Sequence, residues 1–254
     1  MSKSLQDGIR VFEAIATSPG SRSSISRLSN KLSLNPSKTH RLLLVLRQLG
    51  YVEQEKKSGH YRLTSRAWIL SCRSVTENHI FTIAIGRMND LYDSFKLNVH
   101  LSVLDGFDSV YMYIISGKDR VENYSQVAGR NPAGLSATGK VLISRNSVQY
   151  LEECHAHSLN SYKNSPGWRE FYEEIVRVRE EGLAYNYGTL RENVWGVAAP
   201  VFDGAGRVIA ALGLSGHRSS YGEAISSDLK DHLRQAAISI KNDIYGSQLT
   251  SVWF

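Results

Sequence analysis

A helix with both of its ends marked in the sequence lies in the first third of the chain. Asn35 followed by Pro36 is a typical N-cap with proline at the first helical position, and Gly50 is a typical left-handed terminator. The sequence therefore predicts a helix over residues 36–49. Its apolar residues repeat on one face, which we expect to be buried: Thr39, Leu42, Leu43, Leu46 and Leu49.

Two further helices are predicted before it. The first ends at Ser18-Pro19-Gly20 and has apolar residues at helical spacing: Leu5, Ile9, Phe12, Ile15 and Ala16. The second is about two turns long, is capped by Ser23 or Ser24, and has a short apolar stripe: Ile25, Leu28 and Leu32. Two helices joined by a tight turn, the second with a marked start, are typical of a helix-turn-helix.

The opposite side of the third helix is polar and basic. The residues expected to face outward are Ser37, Lys38, His40, Arg41, Arg47 and Gln48. Arg41 and Lys38 could reach guanine edges or phosphates, and Ser37 suits a phosphate near the helix start. The pattern favours a recognition helix for the major groove of DNA. An ordinary three-helix packing unit with a solvated face remains the alternative at this point.

A hairpin with a basic tip is predicted directly after the third helix. Residues 51–55 and 60–64 alternate apolar and polar side chains around Lys56-Lys57-Ser58-Gly59. A helix-turn-helix followed by such a hairpin makes a winged helix, in which the lysines at the tip lie beside the phosphate backbone. The predicted DNA-binding residues are Arg22, Ser37, Lys38, His40, Arg41, Lys56 and Lys57.

The charge of the chain is unevenly divided. Residues 1–75 contain 13 Lys and Arg against 4 Asp and Glu, whereas the remainder contains 17 against 20, within an overall net charge of +6. A basic first third joined to a mildly acidic remainder is typical of a nucleic-acid-binding module attached to a domain with another task.

The rest of the chain predicts an α+β domain with an antiparallel sheet flanked by helices. A linker helix over residues 66–78 has an apolar seam at Trp68, Ile69 and Cys72. Further helices are predicted at residues 81–95, 136–142, 147–155, 167–181 and 223–245, and strands at 97–104, 110–115, 183–187, 196–202 and 208–215, with a long loop at 105–108. The predicted domains are 1–65, 66–78 and 79–254.

Several classes of protein are not supported by the sequence. We expect no membrane span, no secretion signal and a cytoplasmic location, because the apolar runs are short and periodic. Neither Cys72 nor Cys154 belongs to a cysteine metal site, and the pair Glu153 and His157 lacks further ligands. Ser136 and His100 lie outside any nucleophile-elbow motif. We therefore predict no metal, no cofactor and no catalytic residue.

Motifs along the chain resemble the IclR (isocitrate lyase regulator) family of transcription regulators over essentially its whole length. The matching segments are residues 4–12, His40-Arg41-Leu42-Leu43, 49–52, 61–63, 127–132, Ala137-Thr138-Gly139-Lys140, 181–185 and 198–203. The resemblance implies a winged helix-turn-helix domain, a linker helix used in dimerisation and a GAF-like effector-binding domain. Such proteins work as dimers or tetramers on operator DNA and regulate bacterial catabolic genes in response to small, usually acidic metabolites.

The resemblance also implies an effector pocket, at Ala137, Thr138, Asn186, Gly196, Gly213 and Ser215. The family commonly has an aspartate, a cysteine and two serines where this chain has Asn186, Gly196, Gly213 and Ser215. The missing carboxylate reduces repulsion toward an anion, and the two glycines leave room for an aromatic or branched acid. Alternatively, Trp195, Tyr111 or Tyr113 fills that room. The rival function is a small-molecule-converting enzyme or a redox sensor in which a GAF-like domain is tethered to a DNA-binding module.

Overall fold

The computed structural model describes residues 2–77, 79–117, 127–162, 165–220 and 225–246. The chain divides into two units, Met1–Glu77 and Asn78–Phe254, and the predicted α+β class with a winged helix-turn-helix is confirmed. Within these described ranges, no helix combines the length and apolar character needed to cross a membrane.

The first unit contains a winged helix with a small sheet, followed by a fourth helix. Its helices are α1 (Lys3–Ala16), α2 (Ile25–Leu32), α3 (Pro36–Gln48) and α4 (Ser65–Glu77). Its strands are β1 (Arg22–Ser23), β2 (Val52–Gln54) and β3 (Tyr61–Leu63), which form an antiparallel sheet in the order β1-β3-β2. The core of the unit consists of Val11, Ala14, Ile15, Leu28, Leu43, Val52 and Tyr61.

The buried face of α1 differs from the apolar stripe of its sequence. The apolar residues at helical spacing include Leu5 and Ile9, but these are 67% and 50% exposed, whereas Asp7 and Val11 face inward. Asp7 occupies an inward position because it has an ionic partner on α3, Lys38. Leu49, predicted to be buried, is 52% exposed because it lies at the C-cap, beyond the last packed turn of α3.

The second unit is a six-stranded antiparallel sheet with helices on both faces. Its strands are β4 (Asn98–Asp105), β5 (Asp108–Ile115), β6 (Arg130–Pro132), β7 (Ala184–Tyr187), β8 (Val194–Phe202) and β9 (Val208–His217), in the order β6-β5-β4-β9-β8-β7. Its helices are α5 (His79–Phe95), α6 (Ala137–Ile143), α7 (Val148–Ser161), α8 (Trp168–Glu181) and α9 (Ser227–Gly246).

The two faces of this sheet have different chemistry because successive side chains of a strand point to opposite sides. One face is apolar and packs against α5 and α9, as Val99, Trp195 and Leu214 do. The other face lies under α6 and carries small and polar residues, among them His100, Gly196 and Ser215. The pocket predicted from the family resemblance lies on this second face.

Three local features differ from the sequence predictions. The connection between β4 and β5 is a two-residue turn, because Asp105 pairs with Asp108 and Gly106 adopts a positive φ of 59°. The predicted long loop was therefore wrong. Helix α7 continues to Ser161 instead of ending near residue 155. Residues 223–224, where the last helix was predicted to begin, lie outside the described residues, as does the side chain of Cys72.

Candidate functional site

Both ends of α3 have the features that the sequence predicted. The Asn35 side chain accepts from the backbone N–H of Ser37 at 2.9 Å, and Gly50 has a φ of 79° beyond the C-terminus of the helix. The buried Ser29 hydroxyl on α2 donates to Thr39 Oγ1 on α3 at 3.0 Å. The Ser29–Thr39 bond joins the two helices of the helix-turn-helix.

The outer surface of α3 presents the predicted polar residues, with one exception. Ser37, His40 and Arg41 are exposed. Lys38 is half-buried, and its ammonium group binds the carboxylate of Asp7, whose side chain is only 4% exposed. The expectation that Lys38 points outward was therefore wrong: the buried carboxylate of Asp7 draws the ammonium inward. The hydrogen bond from Lys38 holds the pKa of Asp7 below its usual value.

The wing is a tight hairpin with exposed lysines at its tip. Lys56 and Lys57 are exposed, and within the described part of the chain neither has a carboxylate partner. Gln54 Nε2 donates to the Gly59 carbonyl at 3.0 Å, which closes the hairpin. Arg22 lies beside the wing, with its guanidinium 3.7 Å from Glu55. The wing can thus place two unpaired cations beside a nucleic acid.

The six predicted effector residues meet at one cavity under the start of α6. Its lining includes Ala137, Thr138, Asn186, Gly196, Gly213 and Ser215. The cavity has a volume of about 20 Å³, which is room for about one water molecule. The cavity as it stands is therefore too small for an organic acid.

The two glycines of the cavity have unequal surroundings. A Cβ atom added to Gly213 would lie 2.8 Å from Thr138 Cγ2, whereas one added to Gly196 would have ordinary contacts of 3.5 Å or more. The space above Gly213 is occupied by the Thr138 methyl group. Of the expected space-filling aromatics, Tyr111 lines the cavity, whereas Trp195 and Tyr113 pack on the opposite face of the sheet.

Hydroxyl groups attach the start of α6 to the sheet. Ser136 caps the helix by accepting from the backbone N–H of Gly139 at 2.9 Å. Ser109 on β5 lies 3.2 Å from the Ser136 hydroxyl and 3.3 Å from the Thr138 hydroxyl. Asn186 Oδ1 accepts from the Thr189 backbone N–H at 3.0 Å, which leaves its NH₂ group as the donor available to the cavity.

His100 is a cavity residue that the predicted set omitted. Its ring lies 4.9 Å from that of Tyr111, and Nε2 forms a 2.6 Å hydrogen bond with Ser215 Oγ. Burial lowers the pKa of His100 to about 4, so the ring is neutral at pH 7. The alternation of Asn98, His100 and Ser102 along β4 was the available signal, because it puts polar groups on one face of a largely buried strand.

Other constellations considered from the sequence have structural partners. The Ser136 hydroxyl is engaged with Gly139 and Ser109 and makes no hydrogen bond with His100. His157 Nε2 lies 2.8 Å from Asp108 Oδ1. Burial raises the pKa of the Cys154 thiol to about 12, which makes it a poor nucleophile. Over the parts of the chain that the structure describes, no group of three or more His, Cys, Asp or Glu could hold a metal ion.

Comparison with known protein families matches two models to this chain. The model described as the bacterial transcriptional regulator IclR C-terminal domain matches residues 72–242, and the IclR helix-turn-helix domain matches residues 4–56. The first covers the residues of the cavity, and the second runs from α1 to just past β2, the first strand of the wing.

Individual relatives agree with these matches. The HTH-type transcriptional regulator KdgR of Escherichia coli is 30% identical over 194 residues, which are 75% of this chain and 74% of KdgR. The regulator XynR of the same species is 29% identical over 219 residues, or 85% and 87% of the two chains. A crystal structure of an IclR homologue from Microbacterium hydrocarbonoxydans, complexed with 4-hydroxybenzoate, has a TM-score of 0.81 and 22% identity, covering 96% of this chain and 100% of the homologue.

Proposed function

The chain belongs to the IclR family of bacterial transcriptional regulators, and on that premise we propose that it is a ligand-responsive regulator of operator DNA. The winged helix binds the DNA, and the cavity under α6 binds a small organic acid. The regulator controls genes of a catabolic pathway, as a repressor or an activator. Because it acts on bacterial DNA, we also propose a cytoplasmic location.

The observation that carries the DNA-binding proposal is the set of unpaired cations on α3 and the wing. Arg41 is exposed on the recognition helix, and Lys56 and Lys57 are exposed at the tip of the wing. None of the three has a carboxylate partner among the described residues. Unpaired cations at these places suit phosphate contacts from the wing and a guanine contact from the helix. Ser37, His40 and Arg22 complete the proposed contact surface.

We propose that the DNA-bound form is at least a dimer. Trp68 and Ile69 on α4 are 69% and 45% exposed, which is costly for large apolar side chains in water. A lone winged helix makes too few base contacts for a specific operator, and two-fold pairing supplies the second half-site. The exposed face of α4 is the proposed contact between the two copies, and a tetramer would add a second interface.

The proposed effector is a small organic acid, including an aromatic or branched one. Asn186 replaces the carboxylate common in the family and offers an amide donor instead, which favours an anion. The complex of the Microbacterium homologue with 4-hydroxybenzoate makes an aromatic acid a natural first probe. Because Thr138 fills the space over Gly213, an aromatic acid requires a larger movement of α6 than pyruvate does.

The experiment starts by selecting operator sequences from random DNA with the full chain. Binding of the selected duplex is then measured by fluorescence anisotropy with and without glyoxylate, pyruvate, 2-oxoisovalerate, benzoate and 4-hydroxybenzoate. We expect selective binding of one sequence class and a change in affinity with at least one acid. Failure to enrich any sequence would overturn the DNA-binding proposal, and enrichment without an effect of any acid would overturn the proposed effector class.

The rival enzyme or redox sensor has less support. The Cys154 thiol is buried and has a raised pKa, and the His100–Ser215 pair faces a cavity of about 20 Å³. A turnover assay on any acid that binds separates the two functions, because a regulator returns its ligand unchanged.

A further inference from the structure

We propose that His100 binds the effector directly, with its Nδ1–H donating a hydrogen bond to a carboxylate or keto oxygen of the acid. This inference rests on the proposed function, because it concerns the same cavity. It adds a residue on β4 to the six proposed effector residues, which lie on β7, β8, β9 and the start of α6. It also assigns to that residue a role in selecting acids that carry an acceptor oxygen.

The two ring nitrogens of His100 differ in their hydrogen bonding. Nε2 is bonded to Ser215 Oγ at 2.6 Å, whereas Nδ1 is buried and has no hydrogen-bond partner in the described structure. The side chain of His100 lines the cavity and the residue is only 2% exposed. A buried polar atom without a partner is unfavourable, so a cavity wall that contains one is prepared for a ligand that supplies the partner.

The His100 ring is neutral, and its single proton can lie on the nitrogen that faces the ligand. Burial lowers the pKa of His100 to about 4, so only one of its two nitrogens carries a proton at pH 7. When the Ser215 hydroxyl donates to Nε2, that proton is on Nδ1. An ionised carboxylate can only accept hydrogen bonds, and it therefore matches this tautomer. The Ser215 contact thus prepares Nδ1 as a donor without the ring having to be charged.

The neighbouring cavity residues are also suited to an acid. The NH₂ group of Asn186 is a second donor, because the side-chain oxygen is engaged by Thr189. Thr138 adds a hydroxyl, and no Asp, Glu, Lys or Arg is among the residues that line the cavity. Neutral donors around a cavity without competing carboxylates favour an acid over a basic or purely apolar ligand.

The test compares two variants that each keep one nitrogen position of the ring. His100→Asn places an amide near the position of Nδ1, and His100→Gln places one near the position of Nε2. Affinities of the full chain for pyruvate, benzoate and 4-hydroxybenzoate are measured by calorimetry, and the melting temperature of each ligand-free variant is recorded. We expect His100→Gln to bind the preferred acid about ten- to hundredfold more weakly, while His100→Asn keeps more of the affinity.

A purely structural role predicts a different result. If His100 only holds Ser215 in place, then His100→Gln keeps the wild-type affinity for the acid. In that case His100→Asn and Ser215→Ala both lower the ligand-free melting temperature, and neither changes the relative affinities for the different acids. Equal affinities of both variants and the wild type would overturn the inference and leave the proposed effector in place. Failure of every acid to bind the wild type would instead overturn the proposed effector class, and the inference with it.

A measurement on the wild type avoids dependence on variant stability. In protein labelled with ¹⁵N-histidine, the ring nitrogens of His100 are assigned by their loss in His100→Gln. In the ligand-free protein Nδ1 should already have the chemical shift of a protonated nitrogen and Nε2 that of an acceptor, and saturation with the preferred acid should shift the Nδ1 signal further because it gains a hydrogen-bond acceptor. Unchanged shifts of both nitrogens on saturation would overturn the direct contact.

Discussion

Lys38 shows how one ion pair redirects a residue on the recognition helix. Its ammonium binds Asp7 of α1, a carboxylate that is almost fully inside the winged helix. An uncompensated charge at such a position is strongly destabilising, whereas a paired one is tolerated. Lys38 therefore holds α3 against α1, and Arg41, one turn later and exposed, is the base-reading candidate.

The first prediction concerns this ion pair. Lys38→Met removes the charge but keeps much of the apolar stem, and it should lower the melting temperature because Asp7 loses its main partner. Arg47→Met is the matched control on the same helix, because Arg47 is exposed and should be replaced with little effect. Circular dichroism measures both. If Lys38→Met leaves the melting temperature unchanged and greatly weakens operator binding, Lys38 would be a DNA-contacting residue, as the sequence predicted.

The second prediction is the pH dependence of the same pair. The pKa of Asp7 is held below its usual value of about 3.8, chiefly by the hydrogen bond from Lys38. A carboxyl group with a lowered folded-state pKa stabilises the fold above its unfolded-state pKa and loses that effect as the pH falls through the folded value. In urea titrations, the stability advantage of the wild type over Asp7→Asn should be full at pH 6 and decrease below pH 4. A constant difference down to pH 3 would contradict this.

The third prediction separates base reading from phosphate binding. Arg41→Ala should cost about 1 to 3 kcal/mol on the operator and relax the preference at one half-site position, whereas Lys57→Ala should weaken operator and random DNA alike. Both side chains are exposed, so neither change should lower stability. Competition between operator and random duplexes measures the ratio of the two affinities for each variant. Equal losses on the two duplexes for both variants would defeat the assignment of Arg41.

At the scale of elements, helix α6 packs on the sheet by close approach to glycine. The Thr138 methyl group lies where a side chain at Gly213 would be, and Gly139 of the same helix faces the backbone of Ala133 with no room for a Cβ atom. The start of α6 is also attached to Ser109 through two hydroxyl contacts of 3.2 and 3.3 Å. A movement of α6 away from the sheet would break these weak polar contacts and withdraw one methyl group.

The fourth prediction follows from this packing. Gly213→Ala should destabilise the ligand-free protein by about 1 to 3 kcal/mol, because the added methyl meets Thr138 at 2.8 Å. Thr138→Ser in the same chain removes the opposing methyl and should restore most of the loss. Gly196→Ala is the control, since its nearest contacts are of ordinary length. Chemical denaturation measures the free energy of unfolding of all three variants. An equal loss of stability for Gly196→Ala and Gly213→Ala would contradict the role of the Thr138 contact.

At the scale of the whole molecule, α4 has a large apolar surface that the single chain leaves in water. The fifth prediction is that the full chain is at least dimeric at micromolar concentration and that Trp68→Asp reduces the assembly. Trp68 is 69% exposed, so the change should leave the folded monomer intact. Sedimentation equilibrium measures the assembly, and circular dichroism checks the fold. A monomeric wild type would exclude the proposed pairing.

The sequence by itself determined the local structure of this protein. The caps at Asn35 and Gly50 and the alternating strands of the wing depend on hydrogen bonds between residues close in the chain, so a short window contains the information. The family motifs also predicted the cavity residues, and all six of them line one cavity although no local pattern connects them.

Only the tertiary structure decided which of these residues are available for function. Asp7 and Lys38 are 31 positions apart, and His100 and Ser215 are 115 apart, so no window of local periodicity contains either pair. The burial of Asp7 on α1, the inward turn of the Lys38 side chain and the unequal bonding of the two His100 ring nitrogens all depend on such distant contacts. The reason is that burial and partner choice are set by packing between elements, whereas helix and strand formation is set largely within them.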